Sequence, residues 1–493
     1  MISRRNKTIT FLNLAAQSPS LELALGVSDK IQSKLNSNHI FYICDSAQKS
    51  CSVNIKNKKS ICSLCIKKAQ IGVDLYKRKN KNVEVKYISR KDLITGQKKF
   101  SNLINEEIEL GVNSTIASQF RISKMEQLDS KWEFYRRKML ESSFGLYNYF
   151  SNQLSLENPK SIIVFNGRLS CARPLKVLAE SKKIDYYLFD ASYNGNFPIL
   201  AKNQMFHSLE FARYNSILTY LKNFKKSKET ARSFMNAKLM NQPVNDKVYT
   251  SHQKKSFINP IIFKNQKKII SIFTSSDDEY KYIGSDWENY KILDQVEEII
   301  KLKNLTSEYN IVVKMHPNQK NIHKSSKSDF KNLSKSITVL DPLDKTDTYE
   351  LIRISEYVIT FCSSVGIEAN YLRKRVIQIG PSIFMKLPAV NYVKDAKDCF
   401  KLINNNKAKI MPLRASIIWF NYLSFPNCNL DTYKTNYNGK FYYNNQQIKV
   451  PLSIKIKSLI DKIIFNIEKG NFDFITNFML YLTNFIYGEN KVK

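Results

Sequence analysis

Short apolar runs alternate with amphipathic stretches along most of this chain. Residues 8–13, 39–44, 83–88, 161–165 and 185–189 are β-branched and aromatic runs with the length and composition of buried strands. Residues 21–35, 101–124, 131–153 and 173–182 carry apolar positions at helical spacing. The first strand, helix and second strand make a βαβ opening, which predicts a parallel sheet. Residues 202–240 are polar and helical, and residues 241–260 are a polar stretch that reads as an interdomain linker.

After that stretch the pattern starts again. Residues 267–273, the apolar start of 311–319, 336–340, 357–361 and 375–379 read as strands. Residues 287–303, 348–355, 367–372 and 395–405 read as the helices between them. Beyond Pro412 the pattern loosens. Residues 440–450 suggest a hairpin around Asn444 and Asn445, and 453–470 and 472–487 suggest two closing helices. The fold expected is therefore α/β, with two Rossmann-like domains whose parallel sheets face a central cleft. Residues 1–262 form the first domain, 263–450 the second, and 451–493 closing helices that cross back to the first. The last helix, rich in Phe, Leu, Ile and Tyr, is expected to dock on a core in preference to a membrane surface.

Composition narrows the function. With 493 residues, two domains are the prior. Hydrophobic residues make up 43% and charged residues 24%, which fits a globular chain. The net charge of +34 points to an anionic partner: nucleic acid, a membrane face or an anionic substrate. A composition also rich in Asn, Ile, Tyr and Phe accounts for part of that excess. No arginine-rich tail, RNA-binding motif or basic heptad region is present, so nucleic acid is a minor reading. No run has the length of a transmembrane helix, and the start lacks a secretory apolar core. The expected location is cytoplasmic, with peripheral contact at the anionic inner membrane face as an extension.

Candidate chemistry falls at strand ends, where ligands bind in open α/β sheets. Lys314, His316 and Pro317 follow one strand of the second half, and Ser363 and Ser364 follow another and lead into a helix. A cation, an imidazole and two hydroxyls suit a phosphate-bearing ligand, and the helix start would add backbone N–H groups. Thr274, Ser275 and Ser276 follow the strand 267–273. Glu368, one turn into the helix after Ser364, is placed to accept from a ribose hydroxyl or to stabilise the helix start. In the first half, Asn166, Gly167 and Arg168 follow one strand and Asp190 the next, on the ligand-facing edge. Asn-Gly is also a tight-turn signal. Cys44, Cys51, Cys62 and Cys65 have the spacing C-x6-C-x10-C-x2-C. Four thiolates suit a structural Zn²⁺ or an iron–sulfur cluster, with reduced, partly buried cysteines as the alternative.

Two tandem α/β units with a polar linker and closing helices resemble the GT-B glycosyltransferase architecture. His316-Pro317 with Ser363-Ser364 resembles the HP and SS motifs of bacterial capsule-forming transferases, such as polysialyltransferases and capsule Kdo transferases. Residues 273–279, 347–351 and 366–369 are similar to the C-terminal halves of such enzymes. Asn166-Gly-Arg168 and the four-cysteine segment are similar to N-terminal halves of some surface-polysaccharide proteins.

The resemblance implies transfer of a sugar from a nucleotide-sugar donor to a glycan or lipid-linked acceptor. His316, Lys314 and the serine pair would bind the donor phosphate without a catalytic cofactor, because no DxD pair is placed convincingly at a strand end. Asn166, Gly167 and Arg168 would position the acceptor. Asp190 is the first choice for general base, ahead of Glu210 and His207. A CDP-glycerol-type glycerophosphotransferase, a UDP-sugar 2-epimerase and a basic polyanion-binding protein are the competing readings.

Overall fold

The computed structural model describes residues 5–93, 100–191, 198–242, 250–264, 266–284, 287, 293–425, 427–435 and 440–471. The expected helix over 472–487 lies outside these residues, as do residues 243–249 of the expected linker.

The apolar runs pair into two six-stranded sheets. The first comprises β1 (Arg5–Leu12), β2 (Asn38–Cys44), β3 (Val83–Ile88), β4 (Pro159–Phe165), β5 (Asp185–Ala191) and β6 (Pro198–Lys202). Its order is β3-β2-β1-β4-β5-β6. Every pair is parallel except the edge pair β5–β6, which is antiparallel. The second comprises β7 (Ile269–Phe273), β8 (Asn310–Lys314), β9 (Thr338–Leu340), β10 (Ser355–Thr360), β11 (Arg375–Ile379) and β12 (Asn391–Val393). Its order is β12-β11-β10-β7-β8-β9, with all pairs parallel. Both orders reverse direction between their first and fourth strands, as in the Rossmann arrangement. The molecule is thus the two-domain, parallel-sheet α/β architecture of the GT-B type.

Parallel strands buried on both faces need apolar side chains throughout, and β7 and β8 are buried at every position. Helices cover the faces. Gly366 lets one of them approach β10 closely, because a Cβ there would come within 2.9 Å of Thr360 Oγ1. Gly167 has φ +79°, and a Cβ would lie 2.5 Å from a Leu188 methyl, so the turn after β4 requires glycine twice over.

The two cores do not follow the sequence in two simple blocks. Helices Leu209–Lys222 and Ser227–Leu239 precede the expected linker, yet Ala212, Tyr220, Phe234 and Met235 share a core with Trp419 and Phe420 beside the second sheet. Conversely, Cys428, Leu430, Tyr433, Tyr443 and Ile448 pack into the first core. The Tyr443 hydroxyl donates to Asp29 Oδ2 at 2.8 Å. The chain therefore crosses back to the first domain soon after helix Leu413–Ser424.

Other differences have local causes. Helix Leu413–Ser424 was not expected, because its near-continuous apolar sequence is that of a helix buried all round and gives little periodicity. Helix Lys59–Lys79, which carries Cys62 and Cys65, was not expected, because its Lys, Arg, Asp, Gln and Ser residues blur the apolar periodicity. The helix expected from Trp287 begins at Gln295, where Asp294 Oδ1 accepts the N–H groups of Val296 and Glu297. The expected reversal at Asn444-Asn445 is present. Both residues have positive φ, and Tyr443 bridges Gln446 in antiparallel sense.

Candidate active site

The second sheet reverses direction between β7 and β10. Phe273, the last residue of β7, pairs with Thr360 on one side and with Lys314 on the other. The residues just beyond all three strands therefore emerge at one level. A small pocket of about 80 Å³ opens there, lined by Thr274, Lys314, His316, Pro317, Ser363, Ser364 and Glu368. Of the expected donor-site residues, these seven are brought together. Ser275 and Ser276 are not among its lining: the Ser275 backbone is bound to the Gln295 amide, and Ser276 Oγ donates to Asp278 Oδ1. Both lie beyond the end of β7, where these bonds hold them in the loop.

His316 caps a short 3₁₀ turn. Its Nδ1 accepts the Asn318 N–H at 3.1 Å, which places the ring proton of the neutral imidazole on Nε2. Its own N–H donates to Thr274 Oγ1 at 3.0 Å and Gln319 Oε1 at 2.8 Å. Burial holds the imidazole neutral by pulling its pKa down to about 4, against a counteracting pull from Asp278. The ring is a neutral donor at physiological pH, not a cation.

Lys314 supplies charge. Its Nζ donates to the Thr346 carbonyl at 3.0 Å, and burial lowers its pKa to about 8, opposed by Asp344 and Asp347. Ser363 and Ser364 begin the helix Val365–Tyr371, after Cys362 turns the chain at φ 52°. Sequence reasoning expected open N–H groups at this helix start. Instead Val365 N–H donates to Ser363 Oγ, Gly366 N–H to Ser363 O and Ile367 N–H to Ser364 O. The reversal is so tight that the first turn satisfies itself, and the serine side chains carry the polar chemistry.

Glu368 is also engaged by the protein. It accepts from the Tyr349 hydroxyl at 2.9 Å and from Ser364 Oγ at 3.3 Å, and it pairs with Lys238 at 3.7 Å. Its placement anchors the serine instead of leaving a carboxylate open to a ribose. Gln319, Tyr349 and Lys238 were not singled out by sequence. Tyr349 lies in the 347–351 stretch noted above, whereas Lys238 sits on a helix with no motif.

In the first domain, Asn166 takes φ 60° after β4 and donates through Nδ2 to Asp190 Oδ2. Asp190 Oδ1 also accepts the Ala191 N–H at 2.7 Å. Burial raises its pKa to about 6, offset in part by these hydrogen bonds and by Arg168. A carboxylate poised there is ionised at neutral pH yet basic enough to take a proton.

Arg168 does not point an open fork at the cleft. Its Nη1 donates to the Glu279 carbonyl at 2.8 Å and its Nη2 to Ser118 Oγ at 3.4 Å. Two other arginines make the same crossing. Arg121 pairs with Asp278 at 2.7 Å, and Arg173 Nη1 donates to the Ile283 carbonyl at 2.9 Å. Together they bind the loop after β7 to the first domain. Asp278 is engaged by Arg121 and Ser276. His207 is half-buried, and desolvation and the nearby Arg168 and Arg173 pull its pKa well down. Glu210 is exposed and pairs with Lys386 and Arg213.

The four expected cysteines lie near one another. Cys44 ends β2, Cys51 bridges Asn54, and Cys62 and Cys65 lie at the start of helix Lys59–Lys79. Burial raises the pKa of Cys44, Cys51 and Cys65, the last to about 12, and each also senses the charge of its neighbours. Cys171, which sequence did not single out, joins them beside Cys51, with Ser52 Oγ 3.3 Å from its sulfur. All are free thiols. Among the described residues, no group of three or more His, Cys, Asp or Glu side chains is arranged to hold a metal ion.

No family model matches the chain, and no curated protein matches it in sequence. Solved structures do resemble it. The Thermosulfurimonas dismutans KpsC beta Kdo 2,4 transferase is 13% identical over 54% of this chain and 80% of its own, with a TM-score of 0.34. The Methanocaldococcus jannaschii UDP-GlcNAc 2-epimerase, in complex with UDP-GlcNAc and UDP, is 13% identical over 83% of this chain and 97% of its own, at 0.27. Acinetobacter baumannii MurG is 9% identical over 85% and 94%, at 0.24. At such values the fold assignment stands on the strand orders, and the site on its own geometry.

Proposed function

We propose that this protein transfers a sugar from a nucleotide-sugar donor to a growing capsular or surface glycan, free or lipid-linked. The observation that supports this best is the convergence of Lys314, His316, Ser363 and Ser364 on one pocket where the second sheet changes direction. In this reading the bond between the sugar's anomeric carbon and the donor phosphate breaks, and the phosphate oxygen keeps the electron pair. The His316 Nε2–H, the Lys314 ammonium and the serine hydroxyls meet the charge that develops there. The acceptor hydroxyl forms the new bond to the anomeric carbon and gives its proton to Asp190. Asn166 holds that carboxylate in place, Gly167 shapes the turn, and Arg168 fixes the donor loop against the acceptor edge. The reading assigns no step to a metal ion or other cofactor.

Nucleotides test it directly. A ligand that binds only the folded state at 100 times its Kd stabilises by about 2.7 kcal/mol. One of CMP, CDP or UDP is therefore expected to raise the melting temperature by a few degrees, and Lys314→Gln to reduce that rise. A flat response to all three overturns the donor-site reading.

We also propose that Cys44, Cys51, Cys62 and Cys65 hold a structural zinc ion or iron–sulfur cluster. Their spacing and mutual proximity support it, although binding would have to draw together thiols that the structure leaves separate. Elemental analysis of protein purified without chelator is expected to return about one zinc, or cluster iron, per chain. Absence of both metals ends the proposal.

A further inference from the structure

The helix Leu452–Glu468 is amphipathic in the reverse of the usual sense. A surface helix normally turns its apolar stripe to the core. Here Ser458 and Asn466 are buried against the first domain, and the Lys469 ammonium just beyond donates to the Gln119 carbonyl at 3.0 Å. The Asp461 carboxylate accepts from Ser60 Oγ on the underlying helix. Phe465 is the main apolar anchor, edge-on to Phe120 and Trp132. On the opposite face Leu452, Ile456, Ile460, Ile464 and Ile467 are 41–57% exposed. At 100° per residue these five fall within a 120° sector that points away from the protein.

Five aliphatic side chains in one outward row need a partner. The charges around them indicate which kind. Lys455 and Lys457 are exposed on the two flanks of the row, and Lys449 is exposed just before it. The helix's two carboxylates are drawn off to ion pairs with the first domain: Asp461 with Lys58 at 3.9 Å and Glu468 with Lys56 at 2.6 Å. The outward face is thus apolar with a cationic rim, on a chain of net charge +34. That combination matches an interfacial helix, which lies in the plane of a bilayer with its lysines among anionic headgroups. A second copy of this chain would set like charges against each other. No described helix is long and apolar enough to cross a membrane, so the contact would be in-plane.

We propose that the outward face of Leu452–Glu468 docks the protein on an anionic lipid surface. This site is separate from the pocket at His316 and does not depend on what that pocket binds. The test is co-sedimentation of the full chain with phosphatidylglycerol-containing vesicles and with pure phosphatidylcholine vesicles. Binding is expected to the anionic vesicles and to weaken with salt. Ile456→Ser/Ile460→Ser/Ile464→Ser should lower the partition coefficient by about tenfold or more, with the melting temperature and sedimentation state unchanged. Lys455→Gln/Lys457→Gln should weaken binding at low salt only. Three results overturn the proposal: wild-type protein that ignores anionic vesicles, a triple variant that binds them equally well, or a triple variant whose main effect lies elsewhere. A melting temperature lowered by several degrees would mean that the chain itself covers this face, and a shift from dimer to monomer would mean that a second copy does.

Discussion

Replacing His316 with alanine is expected to cut turnover of a labelled nucleotide sugar by roughly 10²–10³-fold, the usual loss when one preorganised donor to a developing oxyanion is removed. The ring is half-buried and neutral, with its proton on Nε2, so it contributes a directed hydrogen bond and not a diffuse charge. It has a structural task as well, because Nδ1 caps the turn that begins at Pro317. Losing a cap costs about 1 kcal/mol, which in a protein of this size lowers the melting temperature by a few degrees at most. His316→Asn separates the two tasks. Asparagine can still accept the Asn318 N–H but does not place a donor where Nε2 stood. The expected outcome is an alanine variant slightly less stable and nearly inactive, and an asparagine variant with stability restored and activity still low. If both variants turn over donor at close to the wild-type rate, His316 does not serve the leaving phosphate.

Asp190→Asn is expected to lower kcat by about 10²–10⁴-fold, the contribution typical of a positioned general base. The pH profile separates this loss from misfolding. Wild-type kcat/KM should rise as pH passes about 6, where Asp190 ionises, and fall as pH passes about 8, where Lys314 loses its cation. The acid limb should vanish in the asparagine variant, while the alkaline limb should remain and disappear only in Lys314→Gln. Stability moves in the opposite sense to activity. The folded-state pKa of Asp190 is raised above the ordinary 3.8. Its protonated form therefore favours folding below that value, and the advantage is lost as pH rises to about 6. At pH 7 the half-buried, desolvated carboxylate is a net cost, so the asparagine variant should melt no lower than wild type. A profile that keeps its acid limb in Asp190→Asn would assign the base elsewhere.

The repeated strand–helix alternation made the two sheets legible because buried parallel strands leave contiguous apolar runs, and β11 (Arg375–Ile379) was bounded to the residue. The edge strands β6 and β12 were not legible. Each is short, and Pro198–Lys202 pairs antiparallel with β5 in a sheet otherwise parallel. At the site, a residue's position past a strand end could be read, but not what its side chain bonds to. Lys314, His316 and the serine pair could be placed at one edge from local sequence. That Arg168 reaches Glu279, or that Lys238 reaches Glu368, depends on contacts between segments more than a hundred residues apart. Local periodicity carries no information about such pairs.

The way the chain returns to its first core has a consequence for the order in which the protein is made. Domains generally fold as units during synthesis, N-terminal first. Here the first core waits for Leu430, Tyr433, Tyr443 and Ile448, and Tyr76 stacks on Tyr443 at 6.2 Å only when those residues exist. The N-terminal half therefore leaves the ribosome with part of its apolar surface uncovered, and it stays so until nearly the whole second domain has followed. Such a half is a natural client for chaperones. The two halves are better regarded as one cooperative assembly than as modules to be cut apart at residue 262.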